Sequence, residues 1–408
     1  MRILIATNRY FLSGGPERYL FNIAPELAAR GHEVVPFALA YSRNEPTPYA
    51  KYFPAPPVGP DYVWEGDRPL SFGEKSRLAA KVIFDRSVYD AALRVLKDES
   101  IDVVYALQIA HYLAPEVLMA ARKMGVPVVW RQSDYQLLCP AYNALRDNEP
   151  CVLCDRSLLP ALRYRCLKGS LAVTATRVAA MKHLRARNLD RPPTHLVSPS
   201  VFLAERLRTN GYRQVTHLPT PVPGVPETPP TPSDERVALY VGGLFPAKGV
   251  RWLVEAALGA SWRLLIVGDI ETPDGRAIRE QVAPSNATNV EMLGHVSGEK
   301  LTELYRRARV VVVPSIWFEN VPNVILEAQA NGRAVVASNL GSLPEVVRRE
   351  RDGLLVPPKD SAAIADAVGK LMDDPNLAAE YGRSGFERVR AEHDLATHID
   401  RLEEILRP

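Results

Sequence analysis

Short apolar runs alternate with segments of helical spacing along most of the chain. In the C-terminal half the apolar runs predict strands at residues 237–241, 263–267, 290–293, 310–313, 334–337 and 354–356. Between them, apolar residues recur at intervals of three and four, which predicts helices. Repeated strand–helix units predict a parallel sheet that is covered by helices on both faces.

The N-terminal half begins with the same alternation. A strand, the Gly14-Gly15 turn, a helix from Pro16 and a second strand form one βαβ unit. Strands are predicted at residues 2–8, 32–39, 102–107, 127–130, 171–174 and 194–198, and helices at 76–96 and 114–124. Residues 43–75 are rich in proline, glycine and charge, which predicts a long irregular segment.

Length and composition predict two soluble domains. The chain has 408 residues, of which 47% are hydrophobic and 24% charged, and a domain averages roughly 150 residues. Seven of the fourteen residues from 219 to 232 are proline, which is typical of a stiff linker. We expect domains at 1–215 and 216–390, with a C-terminal helix at 391–408 packing back on the first. The expected class is α/β, with two Rossmann-like doubly wound domains facing each other across a ligand-binding cleft.

The charge is concentrated in one segment. The net charge of +3 is too small to indicate nucleic acid, but residues 156–191 hold nine Lys or Arg against one acid, Asp190. Such a segment suits an anionic partner or a membrane surface, and an ordinary solvated face is the alternative. The apolar run at the N-terminus is too short for a signal peptide, and no uncharged run approaches the roughly 20 residues of a membrane span. We therefore expect a cytoplasmic protein, with peripheral contact at the inner membrane face under the membrane interpretation.

One strand-to-helix turn carries the densest candidate chemistry. The run at 310–313 predicts a buried strand, Pro322 the start of a helix and Gly332 its end. Glu319 then lies in the loop after the strand, and Glu327 lies in the middle of the helix. Ligands of open α/β sheets bind beyond the carboxyl ends of the strands, and a helix N-terminus offers N–H groups to an anion. The sequence therefore predicts an anion site with a carboxylate on either side.

Three further residues are candidates for the site. Lys248 lies in the first βα loop of the second half, where a lysine can meet a phosphate. Neither Gly-x4-Gly-Lys-Ser/Thr nor an initial Gly-x-Gly-x-x-Gly is present, which disfavours a P-loop enzyme and a nicotinamide dehydrogenase. Glu327 can accept two ribose hydroxyls, with a solvated helix face as the alternative. His111 follows a predicted strand, where a catalytic and a structural role are both open.

All four cysteines lie in the loop of residues 139–166. They are Cys139, Cys151, Cys154 and Cys166, in the spacing Cys-x11-Cys-x2-Cys-x11-Cys. This spacing predicts a structural zinc site, which would fold a loop with little core of its own. Four unrelated thiols are the alternative, and an expected cytoplasmic location disfavours disulfides.

The turn after residue 313 resembles a family signature. Pro314-Ser-x3-Glu-Asn-x-Pro-x4-Glu-Ala-x-Ala-x-Gly332 is similar to the motif of the family 4 glycosyltransferases of GT-B fold. Lys248-Gly249 resembles their Lys-Gly loop, Gly341-Ser-Leu-Pro-Glu345 their Gly-Gly-x-Pro-Glu turn, and Gly14-Gly-x-Glu17 their N-terminal glycine loop. The resemblance covers most of the chain and implies the GT-B fold.

The resemblance implies roles for the second-domain residues. Glu319 would hold hydroxyls of the donor sugar, and Glu327 would hold the ribose. The backbone N–H groups of Asn320 and Val321 would bind the sugar or its phosphates, and Lys248 would neutralise the diphosphate leaving group. The resemblance also implies transfer with retention at the anomeric carbon and without a catalytic divalent metal. Stabilisation of the leaving group by fixed positive groups fits the absence of such a metal.

The resemblance extends to other loops. Gly14 and Gly15 would approach the donor from the first domain, and Gly243 lies in the Lys248 loop where the family has arginine. Ser133-Asp-Tyr-Gln-x-x-Cys-Pro140 resembles a cysteine-containing subgroup, which makes Asp134 an acceptor-side candidate and supports a shared cysteine cluster.

These residues predict a retaining hexosyl-type glycosyltransferase. It would move a sugar from a nucleotide-diphosphate sugar to a glycan or lipid-linked saccharide, as in polysaccharide biosynthesis, with no nucleic acid partner. One alternative is a catalytically silent sugar-nucleotide-binding or scaffold protein, because of Gly243. Another is a related phosphorylase or sugar-phosphate synthase.

Overall fold

The chain folds as two α/β units. A computed structural model describes residues 1–62, 69–110, 112–283 and 288–407. The first unit comprises Met1–Ala144, Cys151–Pro219 and Ala396–Pro408, and the second comprises Leu145–Pro150 and Thr220–Leu395. Each unit is built on a six-stranded sheet. None of the helices in the described ranges has the length and apolarity that a bilayer crossing needs.

The sheet of the first unit is parallel throughout. Its strands are β1 (Arg2–Ala6), β2 (Glu33–Phe37), β3 (Val103–Ala106), β4 (Val128–Arg131), β7 (His195–Ser198) and β8 (Val215–His217), in the order β2-β1-β3-β4-β7-β8. A short antiparallel hairpin, β5 (Leu145–Arg146) with β6 (Glu149–Pro150), interrupts the chain between β4 and β7.

Within the described residues, seven helices follow or connect these strands. They are α1 (Gly15–Ala29), α2 (Phe72–Ile83), α3 (Arg86–Asp98), α4 (Glu116–Met124), α5 (Leu159–Tyr164), α6 (Leu171–Ala186) and α7 (Val201–Thr209), with a 3₁₀ helix at Pro48–Tyr52. The irregular segment predicted at 43–75 overlaps this 3₁₀ helix and the start of α2, and its residues 63–68 lie outside the described ranges.

Two predicted elements of this half are wrong. Residues 171–174 form the first turn of α6 instead of a strand, because helical spacing continues past Thr174 and the Ser170 hydroxyl accepts the N–H of Val173 as an N-cap. The helix predicted at 76–96 is two helices, since Phe84 is extended and Asp85 caps α3 by accepting the N–H of Ser87.

The second unit contains all six strands predicted for it. They are β9 (Val237–Val241), β10 (Arg263–Val267), β11 (Val290–Gly294), β12 (Val310–Val313), β13 (Ala334–Ser338) and β14 (Gly353–Val356), all parallel, in the order β11-β10-β9-β12-β13-β14. The helices are α8 (Val250–Ala257), α9 (Pro273–Val282), α10 (Glu299–Arg307), α11 (Asn323–Ala330), α12 (Leu343–Val346), α13 (Ser361–Asp373) and α14 (Pro375–Glu392).

Both faces of this sheet are buried. On β9, Ala238 and Tyr240 pack into one apolar cluster, and Val237 and Leu239 pack into the other. This explains why the strands of the sheet are continuous apolar runs in the sequence. β9 pairs with β10 on one side and β12 on the other, so the strand order reverses there. Ligands of doubly wound sheets bind at such a reversal.

The last helix, α15 (Leu395–Leu406), packs in the first unit. His398 lies 2.8 Å from the carbonyl oxygen of Pro219 through Nδ1 and 2.9 Å from the Tyr19 hydroxyl through Nε2. Because a carbonyl only accepts, Nδ1 of His398 carries a proton and donates to Pro219. The helix is therefore held by a buried polar network as well as by apolar contacts.

Candidate active site

The loops after β9 and β12 bring Lys248 and Glu319 together. Lys248 Nζ lies 2.7 Å from Glu319 Oε1, and the Ser315 hydroxyl donates to the same oxygen at 2.6 Å. Only 5% of Glu319 is exposed. Burial alone would raise the pKa of Glu319, but the charge of Lys248 and the hydrogen bonds outweigh it, so the pKa lies below its usual value. The result is an ionised carboxylate in a buried ion pair.

Close packing of the two loops fixes this pair. Lys248 ends the short 3₁₀ helix Pro246–Lys248, and Ile316 donates its N–H to the carbonyl of Ala247 at 2.9 Å. Gly249 follows with φ of +71°, and a Cβ there would lie 1.9 Å from the carbonyl oxygen of Pro314. Glycine is therefore required at 249 for the backbones to approach so closely.

Two aromatic rings flank the lysine. Lys248 Nζ lies 5.6 Å from the ring centroid of Phe245 and 5.3 Å from that of Trp317. The two rings meet edge to face, with centroids 6.0 Å apart. A cation at this distance from an aromatic ring is attracted by its π face, so the rings restrict where the ammonium group can move.

Ser342 fixes the backbone between Glu319 and α11. Its hydroxyl donates to the carbonyl of Glu319 at 2.8 Å and accepts the N–H of Val321 at 3.0 Å. Val321 has φ of +58°, a strained conformation for a β-branched residue. The N–H of Val321, assigned to the donor by resemblance, is thus engaged, and a ligand can use it only by replacing the Ser342 hydroxyl. Asn320 lies in the same loop.

Glu327 is partly exposed, between buried neighbours on α11. Its Oε2 accepts the hydroxyl of Tyr305, from α10, at 2.8 Å. Asn331 donates its side-chain amide to the Glu327 carbonyl at 2.9 Å. The Tyr305 contact restricts the orientation of the Glu327 carboxylate.

Gly243 occupies a crowded position in the Lys248 loop. Its carbonyl accepts the Tyr240 hydroxyl at 2.6 Å, and a Cβ there would lie 2.7 Å from the ring of Phe245. A side chain at 243 would have to displace that ring. Arg251, the nearby cation on α8, instead lies with its guanidinium 5.2 Å from the ring centroid of Trp252.

The remaining candidates belong to the first unit. Gly14 caps α1 and Gly15 begins it, next to Glu17, which is 1% exposed and whose pKa is raised by burial. Asp134 follows β4 and accepts the N–H of Gln136 at 2.9 Å; burial raises its pKa to about 6, opposed by that hydrogen bond and by Arg177. His111 lies outside the described residues.

The described part of the chain does not show the predicted zinc site. None of the four is joined in a disulfide in the described structure, and burial raises the pKa of Cys139 and raises that of Cys154 to about 12. Across the described ranges, no group of three or more His, Cys, Asp or Glu side chains is placed to hold a metal ion. The four thiols nevertheless act on one another electrostatically, so the zinc site stays a prediction.

Several residues around the candidate site were missed in the sequence. Ser315, Ser342, Tyr305 and Trp317 carry no spacing signal, because serines and aromatic residues occur throughout such loops. Ser315 and Ser342 had an indirect signal, since they lie within the Pro-Ser-x3-Glu and Gly-Ser-Leu-Pro-Glu segments that resemble family motifs.

Comparison with known proteins defines the class. The family model described as "Glycosyl transferases group 1" matches residues 235–374, and that of a "Glycosyl transferase 4-like domain" matches residues 14–200. A D-inositol 3-phosphate glycosyltransferase of Acidothermus cellulolyticus is 29% identical over 404 residues, covering 93% of this chain and 83% of that protein. A D-inositol 3-phosphate glycosyltransferase of Mycobacteroides abscessus is 37% identical over 169 residues, which span 40% of this chain and only 36% of that relative.

A solved structure supports the fold. HepE of Anabaena, in complex with UDP-glucose, superposes with a TM-score of 0.66 and 19% identity, covering 100% of this chain and 99% of that one. Two Rossmann-like halves of this kind define the GT-B architecture. The chain belongs to the family 4 glycosyltransferases.

Proposed function

We propose that the protein is a retaining glycosyltransferase that uses a nucleotide-diphosphate sugar held by its second domain. The Lys248–Glu319 pair carries this proposal, because it lies at the carboxyl ends of β9 and β12, where the strand order reverses. Support for the donor class comes from HepE, whose structure contains UDP-glucose.

The charges of the site suit the parts of such a donor. Ionised Glu319 only accepts hydrogen bonds, so it pairs with sugar hydroxyls, and Glu327 pairs with ribose hydroxyls in the same way. Lys248 supplies a compact positive charge for the diphosphate, which it can reach only by sharing or leaving Glu319. The N-terminus of the eight-residue helix α11 adds a positive partial charge.

Retention constrains the reaction step. The bond from the anomeric carbon to the diphosphate oxygen breaks, and a bond to the acceptor oxygen forms on the same face. The departing phosphate oxygen is then the nearest base for the acceptor's hydroxyl proton. Negative charge develops on the diphosphate, so Lys248 stabilises the transition state more than the ground state.

The stereochemistry can be tested without knowing the acceptor, because water can replace it. We expect the purified protein to hydrolyse one of a panel of α-linked UDP-, GDP-, ADP- and dTDP-sugars slowly. Proton NMR during the first turnovers should show the α-anomer of the released sugar before mutarotation. Initial release of the β-anomer would contradict retention, and a protein that releases no sugar from any donor would support the silent-binding alternative.

A second proposal concerns where the acceptor is met. Seven of the twelve exposed large hydrophobic side chains in the described part of the chain lie between residues 142 and 173. Leu159 is 66% exposed and Leu171 52%. The same segment contains Arg156, Arg163, Arg165 and Lys168. Exposed apolar groups among basic ones suit the surface of an anionic bilayer, which supports a lipid-linked acceptor.

Vesicle binding tests this surface. We expect the protein to sediment with phosphatidylglycerol vesicles and much less with phosphatidylcholine vesicles. Changing Leu159 and Leu171 together to Glu should weaken binding by at least roughly tenfold, since burying each leucine contributes about 1.5–3 kcal/mol. Met124→Glu is the control, because Met124 is an exposed apolar residue on a different helix, α4. Equal sedimentation of the double variant and the wild type would refute the proposal.

A further inference from the structure

Arg177 is a buried cation without a hydrogen-bonding partner in the described part of the chain. It lies on α6, is only 8% exposed, and its Nε has no acceptor. Charged groups at the surface need no partner, but a guanidinium taken out of water is costly unless an anion or several acceptors surround it. Arg177 is therefore a buried cation that an anion or further acceptors would stabilise.

A cavity in the first unit places Arg177 beside other unsatisfied groups. The space open to the centre of a water-sized molecule is about 20 Å³, and the recess as a whole holds about 360 Å³, which includes open solvent. Trp130 and Gln136, which are 1% and 2% exposed, also line it. The indole Nε1 of Trp130 and the amide Oε1 of Gln136 have no partner among the described residues. Two donors and one acceptor, all buried, thus meet at one cavity.

The cavity is well placed for a substrate. Ala110 and Ala114 of its lining follow β3, Trp130 is in β4, and Gln136 follows β4. It therefore lies at the carboxyl ends of two neighbouring strands, the edge at which open α/β sheets bind ligands.

The charges around Arg177 leave room for an anion. Asp134 is close enough to interact electrostatically with Arg177 but forms no ion pair with it in the described structure. Burial lowers the pKa of Arg177 to about 10 and raises that of Asp134 to about 6. Tyr142 and Cys139 are the other titratable groups that act on the guanidinium. Arg185 lines the same cavity and donates to the carbonyl of Leu137 at 2.6 Å.

We propose that Arg177 binds an anionic group, a phosphate or a carboxylate, carried by the acceptor. The guanidinium presents donors in a planar fork that matches either group. The indole N–H of Trp130 is a second donor, and Gln136 accepts a hydroxyl of the same molecule. The assignment of this anion to the acceptor rests on the proposed function, whereas the anion site itself does not.

Inorganic phosphate and acetate serve as probes, because each presents one of the two groups alone. They are titrated into the full chain with the second domain saturated by nucleoside diphosphate, so that Lys248 does not compete. The readouts are the Arg177 Nε–H resonance in a ¹⁵N NMR spectrum and the melting temperature, against chloride at equal ionic strength. We expect one probe to shift the resonance saturably and to raise the melting temperature, since a ligand of the folded state stabilises it. The stronger probe identifies the group.

Variants distinguish a binding role from a structural one. Arg177→Gln should lower the affinity for the stronger probe by about 10- to 100-fold, since a hydrogen bond to a charged group contributes about 1.5–3 kcal/mol. Lys182→Gln, at an exposed cation on the same helix, should leave that affinity unchanged. Arg177→Lys should restore part of the loss. If Arg177→Gln does not fold, Arg177→Lys and Trp130→Phe carry the test, each with weaker probe binding than wild type.

Two results would overturn the proposal. One is that neither probe moves the Arg177 resonance or the melting temperature. The other is that the Arg177 variants bind the probes as tightly as wild type while still binding nucleoside diphosphate. If the protein binds the anion but turns over no donor, the proposed transferase function is contradicted and the anion site is not.

Discussion

Replacing Lys248 with methionine should lower donor turnover by about 10²–10³-fold, the usual effect of removing one preorganised group that stabilises developing negative charge. Methionine keeps the length of the side chain and its contacts with Phe245 and Trp317, so the loss reports the charge. Nucleoside diphosphate affinity should fall as well, by less than the rate. Steady-state release of nucleoside diphosphate and calorimetric binding measure the two effects.

The same variant should also be less stable, in a pH-dependent way. Removing one partner of a buried ion pair costs about 3–5 kcal/mol. In the wild type the pKa of Glu319 lies below its usual value of 4.5, so its contribution to stability is present above that value and is lost as the pH falls. Without Lys248, burial raises the pKa instead, and protonation relieves the unpaired charge. Lys248→Met should therefore be less destabilised at pH 5 than at pH 8, relative to wild type.

Arg251→Met is the matched control for this experiment. Arg251 is an exposed cation in the same domain that lies over Trp252. It should keep the turnover, nucleotide affinity and pH dependence of the wild type. If Arg251→Met loses as much turnover as Lys248→Met, Arg251 takes the role of the arginine that the family has in place of Gly243. The charge that stabilises the leaving diphosphate would then come from both side chains.

Changing Glu327 to alanine should weaken nucleoside diphosphate binding by about 10- to 100-fold. The carboxylate would otherwise accept two ribose hydroxyls, and hydrogen bonds to a charged group contribute about 1.5–3 kcal/mol each. Tyr305→Phe should give a smaller loss, because it removes only the hydroxyl that orients Glu327 Oε2. Calorimetry with the diphosphate that stabilises the wild type most gives both affinities.

Glu303→Ala is the control for the ribose contact. Glu303 is an exposed glutamate on α10, two residues before Tyr305, and its removal should leave nucleotide affinity unchanged. A Glu327→Ala protein that binds the diphosphate as tightly as wild type would exclude the ribose role. Measuring how tightly the same variant binds the nucleoside diphosphate and the nucleoside alone would show whether the lost affinity comes from the ribose.

The sequence predicts the α/β class of fold because both faces of each sheet are buried. Strands such as β12, buried on both faces, can tolerate little but apolar residues, so each appears as a run such as Val310–Val313. The Lys248–Glu319 contact follows from the same logic, since the loops after neighbouring parallel strands meet at one edge.

Other features depend on contacts between distant parts of the chain. The apolar start of α6 was mistaken for a strand because a four-residue run has no period of its own. Ser342 comes to Glu319 from the loop after β13, and no spacing in the sequence signals that contact. The cysteine spacing predicts a zinc site, and the described residues show no group of three or more side chains placed to hold a metal ion. In the sequence, nothing distinguishes Arg177 from the other basic residues of its segment, because its burial depends on tertiary packing.

Gly243 is the main departure from the family pattern, and the structure gives it a physical reason. The ring of Phe245 occupies the space a side chain at 243 would need, and that ring also flanks Lys248. We therefore expect the aromatic pair around Lys248 to compensate in part by positioning the single cation. A silent protein would keep this packing but release no product.

Release of nucleoside diphosphate from the panel of sugar nucleotides, measured for wild type and Lys248→Met side by side, tests the central claim most directly. We predict catalytic release from at least one donor by the wild type and a loss of about 10²–10³-fold in the variant. No release by a wild-type protein that binds nucleoside diphosphate, or equal rates for the two proteins, would contradict the account.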